Sequence, residues 1–163
     1  MFSIEFEDID PGSCTLDEIY HRRTDTIWTD DFFGTVIIKT EEQRLGMYVA
    51  VLGFARSVNR VAYEFGRGAY ESFYTDMYLY NPPLTFTSVK GSVVISWFDY
   101  NNIAQAMTVK SLDEFTTNAA DFLERAITYC SQFAPDILTD PLIQQWLTDF
   151  SLDDYRHLYR FAH

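Results

Sequence analysis

Behind Ser111, apolar residues fall at Leu112, Phe115, Ala119, Phe122, Leu123, Ala126, Ile127, Cys130 and Phe133, a spacing that lines one face of a helix over 112–133. Ser111 and Glu114 supply its start, because a Ser side chain and an acid three residues later satisfy the free N–H groups of a first turn. The same signature occurs at Thr15–Glu18, at Thr40–Gln43 and, with Asp as the acid, at Ser151–Asp154. Asp140 followed by Pro141 opens a second helix with Leu142, Ile143, Trp146, Leu147 and Phe150 inward, since proline is tolerated at the first helical position. A short helix over 152–161 closes the chain. Residues 41–65 keep helical spacing at Val51, Phe54, Ala55, Val58, Val61, Ala62 and Phe65. Gly46 and Gly53 each cost about 1 kcal/mol inside a helix, so a strand over 47–54 stays open as the alternative.

Elsewhere the period drops to two. Leu84–Val89 and Ser92–Phe98 alternate on either side of Lys90-Gly91, the length and glycine placement of a tight hairpin. Pairing Val89 with Ser92 puts Leu84, Phe86, Val93, Ile95 and Trp97 on a core face. The other face carries Thr85, Thr87, Val89, Ser92, Val94, Ser96 and Phe98, a mixed surface for a helix or a partner to cover. Further strands are predicted at Ile4–Glu7, Thr35–Lys39 and Gln105–Lys110, with loops at Pro82-Pro83 and Asn101-Asn102. Together these elements predict one α+β domain over 1–163, its mostly antiparallel sheet centred on the 84–98 hairpin and packed against several helices.

Composition supports a sizeable core. The chain has 163 residues, 47% apolar and 17% aromatic, enough to bury about 70% of the surface its unfolded form exposes. Charge adds something periodicity does not show. The net charge of −12 divides into −7 over residues 1–31, +1 over 32–110 and −6 over 111–163. Self-repulsion of that size costs stability, so it points to solubility or to a basic partner. The acidic start MFSIEFEDID is unlike a secretory signal, and the longest apolar run, Met47 to Ala55, is bounded by Arg44 and Arg56. Neither a signal nor a membrane span is expected. Cys14 and Cys130 have no paired spacing, and two reduced thiols fit a cytoplasmic protein.

No nucleotide, serine-hydrolase or zincin motif is present, and three scattered histidines do not make a metal centre, so neither cofactor nor metal is expected. Asp17 and His21 would share a helix face near Cys14, but they read as a solvated pair, and Cys130 as packing. Acids at helix starts, such as Glu41, Glu42, Asp113 and Glu114, offset the helix dipole. No residue is assigned a catalytic role. Three groups remain as candidates for a partner. Asp30 and Asp31 lie between Trp28 and Phe32-Phe33 with no dipole to explain them. The polar side of the 112–133 helix gathers Asp113, Thr117, Asp121, Glu124 and Thr128 against Arg125. The stretch from Tyr63 to Tyr80 holds seven aromatics interleaved with acids, and from it Tyr70, Tyr74, Asp76 and Tyr78 are taken as contacts, tyrosine being enriched at interfaces. Without a basic groove, direct nucleic-acid binding is disfavoured.

In its size, acidity, aromatic richness, α+β organisation and lack of catalytic motifs, the chain resembles the immunity proteins of bacterial polymorphic-toxin and contact-dependent growth inhibition systems. That resemblance implies a cytosolic protein that binds one cognate toxin domain, often a nuclease with a basic substrate surface, and blocks it. It carries no residue roles to numbered positions. The rival readings are a small enzyme or ligand-binding domain with a carboxylate-lined pocket, using acids such as Asp30, Asp76 or Asp99, and an adaptor module using the tyrosine-rich surface.

Overall fold

The computed structural model describes residues 1–10, 32–75 and 81–151. In chain order the elements are β1 (Ser3–Asp10), β2 (Phe33–Lys39), β3 (Arg44–Ala50), α1 (Val51–Gly66), β4 (Glu71–Tyr74), β5 (Leu84–Val89), β6 (Ser92–Phe98), β7 (Ala104–Val109), α2 (Leu112–Cys130), a 3-10 turn (Pro135–Leu138) and α3 (Pro141–Thr148). They build two antiparallel sheets, ordered β1-β2-β3 and β4-β5-β6-β7. Helices α1 and α2 pack on each other, and each touches both sheets: α1 meets β2, β3 and β4, and α2 meets β1, β6 and β7. Buried residues of both sheets and all three helices form one contiguous cluster. The α+β class is therefore correct, with two sheets where one was expected.

The hairpin is as the alternation requires. Val89 pairs with Ser92, and Lys90 and Gly91 both take positive φ (49° and 85°), the twist that suits a two-residue reversal. Leu84, Phe86, Val93, Ile95 and Trp97 are all buried.

Both readings of residues 41–65 are partly right. The strand β3 runs directly into the helix α1 between Ala50 and Val51, with no loop. No side chain caps α1; the Val51 N–H instead donates to the Phe32 carbonyl at 3.1 Å, an acceptor distant in sequence. Thr40 does not start a helix. Its Oγ1 accepts from the Gln43 N–H at 3.2 Å, the bond a cap would make, while the Thr40 N–H donates to the Gln43 carbonyl at 2.9 Å and the four residues close the β2–β3 turn. A capping signature and a tight turn share this local chemistry, which is why the sequence misleads here. Ser111 is a true cap, accepting from the Glu114 N–H at 3.0 Å, although the Glu114 carboxylate turns away to the Phe2 N–H at 2.9 Å. Helix α2 stops at Cys130, leaving Phe133 39% exposed rather than inward. Strand β4 falls inside the aromatic stretch, where no strand was predicted. The signature at Thr15–Glu18, the part of Ser151–Asp154 after Ser151, and the helix over 152–161 lie outside the described residues.

Helix α1 is buried nearly all round, as a helix between layers must be. Its polar groups tie elements together. Asn59 Nδ2 donates to the Ala55 carbonyl at 2.9 Å and across to the Ala119 carbonyl of α2 at 2.6 Å. Arg56, with no solvent exposure, donates from Nε to the Trp146 carbonyl at 2.6 Å and from Nη2 to the Asp149 carbonyl at 3.2 Å, so it closes the end of α3.

Candidate interaction surface

One described element from each acidic end of the chain meets the other. Strand β1 comes from the N-terminal acidic segment and α2 from the C-terminal one, and α2 lies along β1 because Phe6 packs on Phe122 and Tyr129, each at 5.8 Å between ring centroids. Arg125 fixes the contact. Its Nη2 donates to the Ile4 carbonyl at 2.7 Å, its Nε pairs with Asp121 at 2.7 Å, and its guanidinium lies over the rings of Phe6 and Phe122. Beside it Lys39 and Glu5 pair at 2.8 Å, and that lysine, with a smaller contribution from Arg125, holds the Glu5 carboxyl below the usual range. Glu5 and Asp121 thus lie around Arg125 and Lys39, and both cations are already engaged. Glu7, Asp8 and Glu124 are exposed. Asp8 sits at φ 49° where the β1–β2 register shifts between Glu7 and Asp10, so the strand kinks at its acidic end.

The outward face of the four-stranded sheet has the opposite chemistry. Thr85, Thr87, Ser92, Val94, Ser96, Ala106 and Thr108 are all exposed or half-buried, and Glu71 is the acid at its margin. Phe73 and Phe98 stand on this face at 54% and 60% exposure. Alternation along β6 already puts Phe98 outward; Phe73 is obscured because β4 is not legible as a strand.

A groove of about 460 Å³ opens beside Phe98, lined by Arg44 and Gly46 of β3, Pro82, Pro83, Trp97, Asp99 and Tyr100. Asp99 is the carboxylate that a ligand-binding reading would use. Both of its oxygens are engaged: Oδ1 accepts from the Ile103 and Asn101 N–H groups at 2.9 Å each, and Oδ2 from Gln105 Nε2 at 3.0 Å. These bonds, that from Ile103 foremost, lower its pKa. Asp99 therefore closes the 99–103 turn.

Of the expected partner contacts, Asp113, Asp121 and Glu124 are exposed on α2, and Tyr70 is 67% exposed before β4. Tyr74 is a correction. It points inward from β4, 9% exposed, with its ring edge-on to Phe54 at 4.8 Å, because alternation along the strand sends it to the core while Phe73 goes out. Tyr70 and the α2 acids are on separate elements, and no contact joins them among the described residues. Asp30, Asp31, Asp76 and Tyr78 lie outside the described residues, as do Cys14, Asp17 and His21.

Cys130 is buried on α2, and desolvation pushes its thiol up to about 12, which suppresses the reactive thiolate at neutral pH. Among the described residues no cluster of three or more His, Cys, Asp or Glu side chains has the arrangement of a metal site, and no helix is long and apolar enough to cross a membrane. No family model, curated protein or solved structure matches the chain. Its surface must be read from its own chemistry.

Proposed function

We propose that this chain is an acidic immunity protein that binds a cognate toxin domain, a nuclease being the class that best suits it, and neutralises it by covering the toxin's basic substrate surface. The observation that supports this reading is the contact between β1 and α2, one element from each acidic end of the chain. Carboxylates spread along these elements occupy positions that phosphates would take on a basic groove, and they accelerate encounter with a cationic partner. The sheet face with Phe73 and Phe98, charged only at its Glu71 margin, offers the drier kind of contact that holds a complex once formed.

The test is co-purification from the native host with identification of the bound protein, followed by co-expression of that protein's terminal domain. Rescue of growth by this chain, with a complex whose association slows as salt rises, is the expected result. Turnover of a substrate by the purified protein with no partner present would instead favour an enzyme, and a partner bound at a rate indifferent to salt would favour an adaptor.

A further inference from the structure

Among the described residues, strand β7 ends the four-stranded sheet and no strand pairs with its outer edge. The hairpin turn determines which backbone groups face that edge. Val89 and Ser92 flank a two-residue turn, so they exchange both of their hydrogen bonds, and Ser92, Val94 and Ser96 direct their N–H and C=O groups toward β5. Val93, Ile95 and Trp97 then serve β7, where their partners are Val109, Met107 and Gln105. By the same alternation Ala104, Ala106 and Thr108 direct theirs away from the sheet. All three residues are exposed, and no backbone bond outside the ladder reaches them among the described residues.

Exposed edges are ordinarily blunted by charge, proline or a bulge. The β7 segment AQAMTV has no charged residue and no proline, and its pairing with β6 runs without a register shift. A groove of about 320 Å³ follows this edge, lined by Ala106 and Thr108 on one side and by the β2–β3 turn on the other. Its carboxylates are Glu41, Glu42 and Glu114, set against Lys110 and the Met1 amino group, which pairs with Glu41 at 2.8 Å.

We propose that the open edge of β7 is a pairing site for an extended, cationic segment of a partner protein. The partner's backbone bonds to the N–H and C=O groups of Ala104, Ala106 and Thr108, and its Lys or Arg side chains reach Glu41 and Glu42 across the groove. Main-chain bonds of this kind give affinity, and alternate side chains give specificity. A second copy is the poorer occupant, since it brings another net charge of −12 and its own carboxylates to the same groove. The identification of that partner as a toxin rests on the immunity reading; the edge itself does not.

The probe is a short end-blocked peptide alternating Lys with Val, compared with its Glu–Val counterpart. Ala106→Pro removes an outward N–H without removing a ladder bond, a change that edge strands tolerate. Thr108→Lys serves as a second variant, placing a like charge beside the peptide. The Lys–Val peptide is expected to slow amide exchange at Ala104, Ala106 and Thr108, and to bind either variant about tenfold more weakly, equivalent to about 1.4 kcal/mol. The Glu–Val peptide is expected not to bind. Equal affinity of wild type and both variants, or protection appearing elsewhere, overturns the proposal, as does a wild-type dimer that Ala106→Pro converts to monomer while the peptide fails to bind. A toxin domain bound equally by wild type and Ala106→Pro sinks the edge but leaves the immunity reading intact. Peptide capture that depends on Ala106, in a chain that protects against no toxin, does the reverse.

Discussion

The outer edges of the two sheets, β1 and β7, are finished in opposite ways. At β1 helix α2 lies against the strand and answers two backbone groups at its start: Glu114 takes the Phe2 N–H and Arg125 donates to the Ile4 carbonyl. At β7 the outward groups of three residues meet, among the described residues, only a groove. The difference follows from where charge lies in the chain. Strand β1 and helix α2, one from each acidic end, are held together beside Lys39 and Arg125, while the near-neutral middle supplies the four-stranded sheet, whose outward face carries one acid, Glu71, at its margin. A protein with net charge −12 can leave the β7 edge bare because its copies repel. On the proposed function, the α2-backed edge serves stability and long-range attraction, and the other edge serves contact.

The largest effect expected from this contrast is in the core beneath each edge. Phe122 is fully buried between Phe6 of β1 and Phe54 of α1, so Phe122→Ala should cost about 3–5 kcal/mol in denaturant unfolding. Ile95, 1% exposed on β6, should cost about 2–5 kcal/mol when replaced by Ala. In native-state hydrogen exchange the first should deprotect β1 before β7, and the second β7 before β1. Equal loss at both edges from either variant would mean that the two sheets open as one unit and that the contrast is only a matter of surface.

Arg125→Met should come next. It keeps much of the stem over Phe6 and Phe122 but removes the bond to the Ile4 carbonyl and the pair with Asp121. The side chain is 42% exposed, which discounts the charged bond, so a loss of about 1 kcal/mol is expected. Faster exchange confined to β1 and β2 would sharpen the comparison. An unchanged melting curve would show that ring packing alone holds α2 against β1.

Reversing Asp121 and Glu124 to Lys tests the function of the α2-backed edge. Stability should change little, because both are exposed, whereas association with a cationic toxin domain at low salt should slow by about tenfold. That deficit should shrink as salt shortens the Debye length from about 30 Å at 0.01 M to about 8 Å at 0.15 M. Ala106→Pro should leave the association rate near wild type and speed dissociation. If the two kinds of variant exchange effects, the assignment of steering to β1–α2 and anchoring to β7 is wrong.

What could be read from the sequence follows the range of the interaction. The 84–98 hairpin and the Ser111 start of α2 were legible because their causes are local: alternation, a two-residue turn and a side chain three positions from its donor. The start of α1 was not, because its first N–H is answered by the Phe32 carbonyl rather than by a capping side chain. Thr40 was misassigned because its hydroxyl makes the same bond in a turn as in a cap. Among the candidate contacts, the α2 acids were visible as one polar face. Tyr74 was misplaced for want of a strand assignment at 71–74, and the adjacency of β1 and α2 rests on contacts more than a hundred residues apart in sequence, which no spacing reveals. The open edge depends on β7 being last in its sheet, a matter of topology alone.

The smallest expected effect concerns the turn that launches β7. Asp99 receives three hydrogen bonds, two of them from the backbone of the 99–103 turn, and its pKa lies below the ordinary 3.8. A carboxylate with a lowered folded-state pKa contributes stability above its unfolded pKa and loses it as pH falls through the folded value, so the sensitive window lies below pH 3.8. Asp99→Asn keeps one acceptor oxygen but removes the charge. Near neutral pH the variant should show slightly faster exchange at Ala104 and Gln105, where β7 begins, with no change at β1. On acidification the two proteins should converge, because the wild-type carboxylate becomes protonated while the amide does not titrate. Glu5 at the other edge also has a lowered pKa, but it is present in both proteins and cancels in the difference. A gap that persists undiminished well below the window would mean that side-chain shape, not charge, holds the turn. A gap that appears at β1 would mean that the two edges are coupled through the core rather than finished independently.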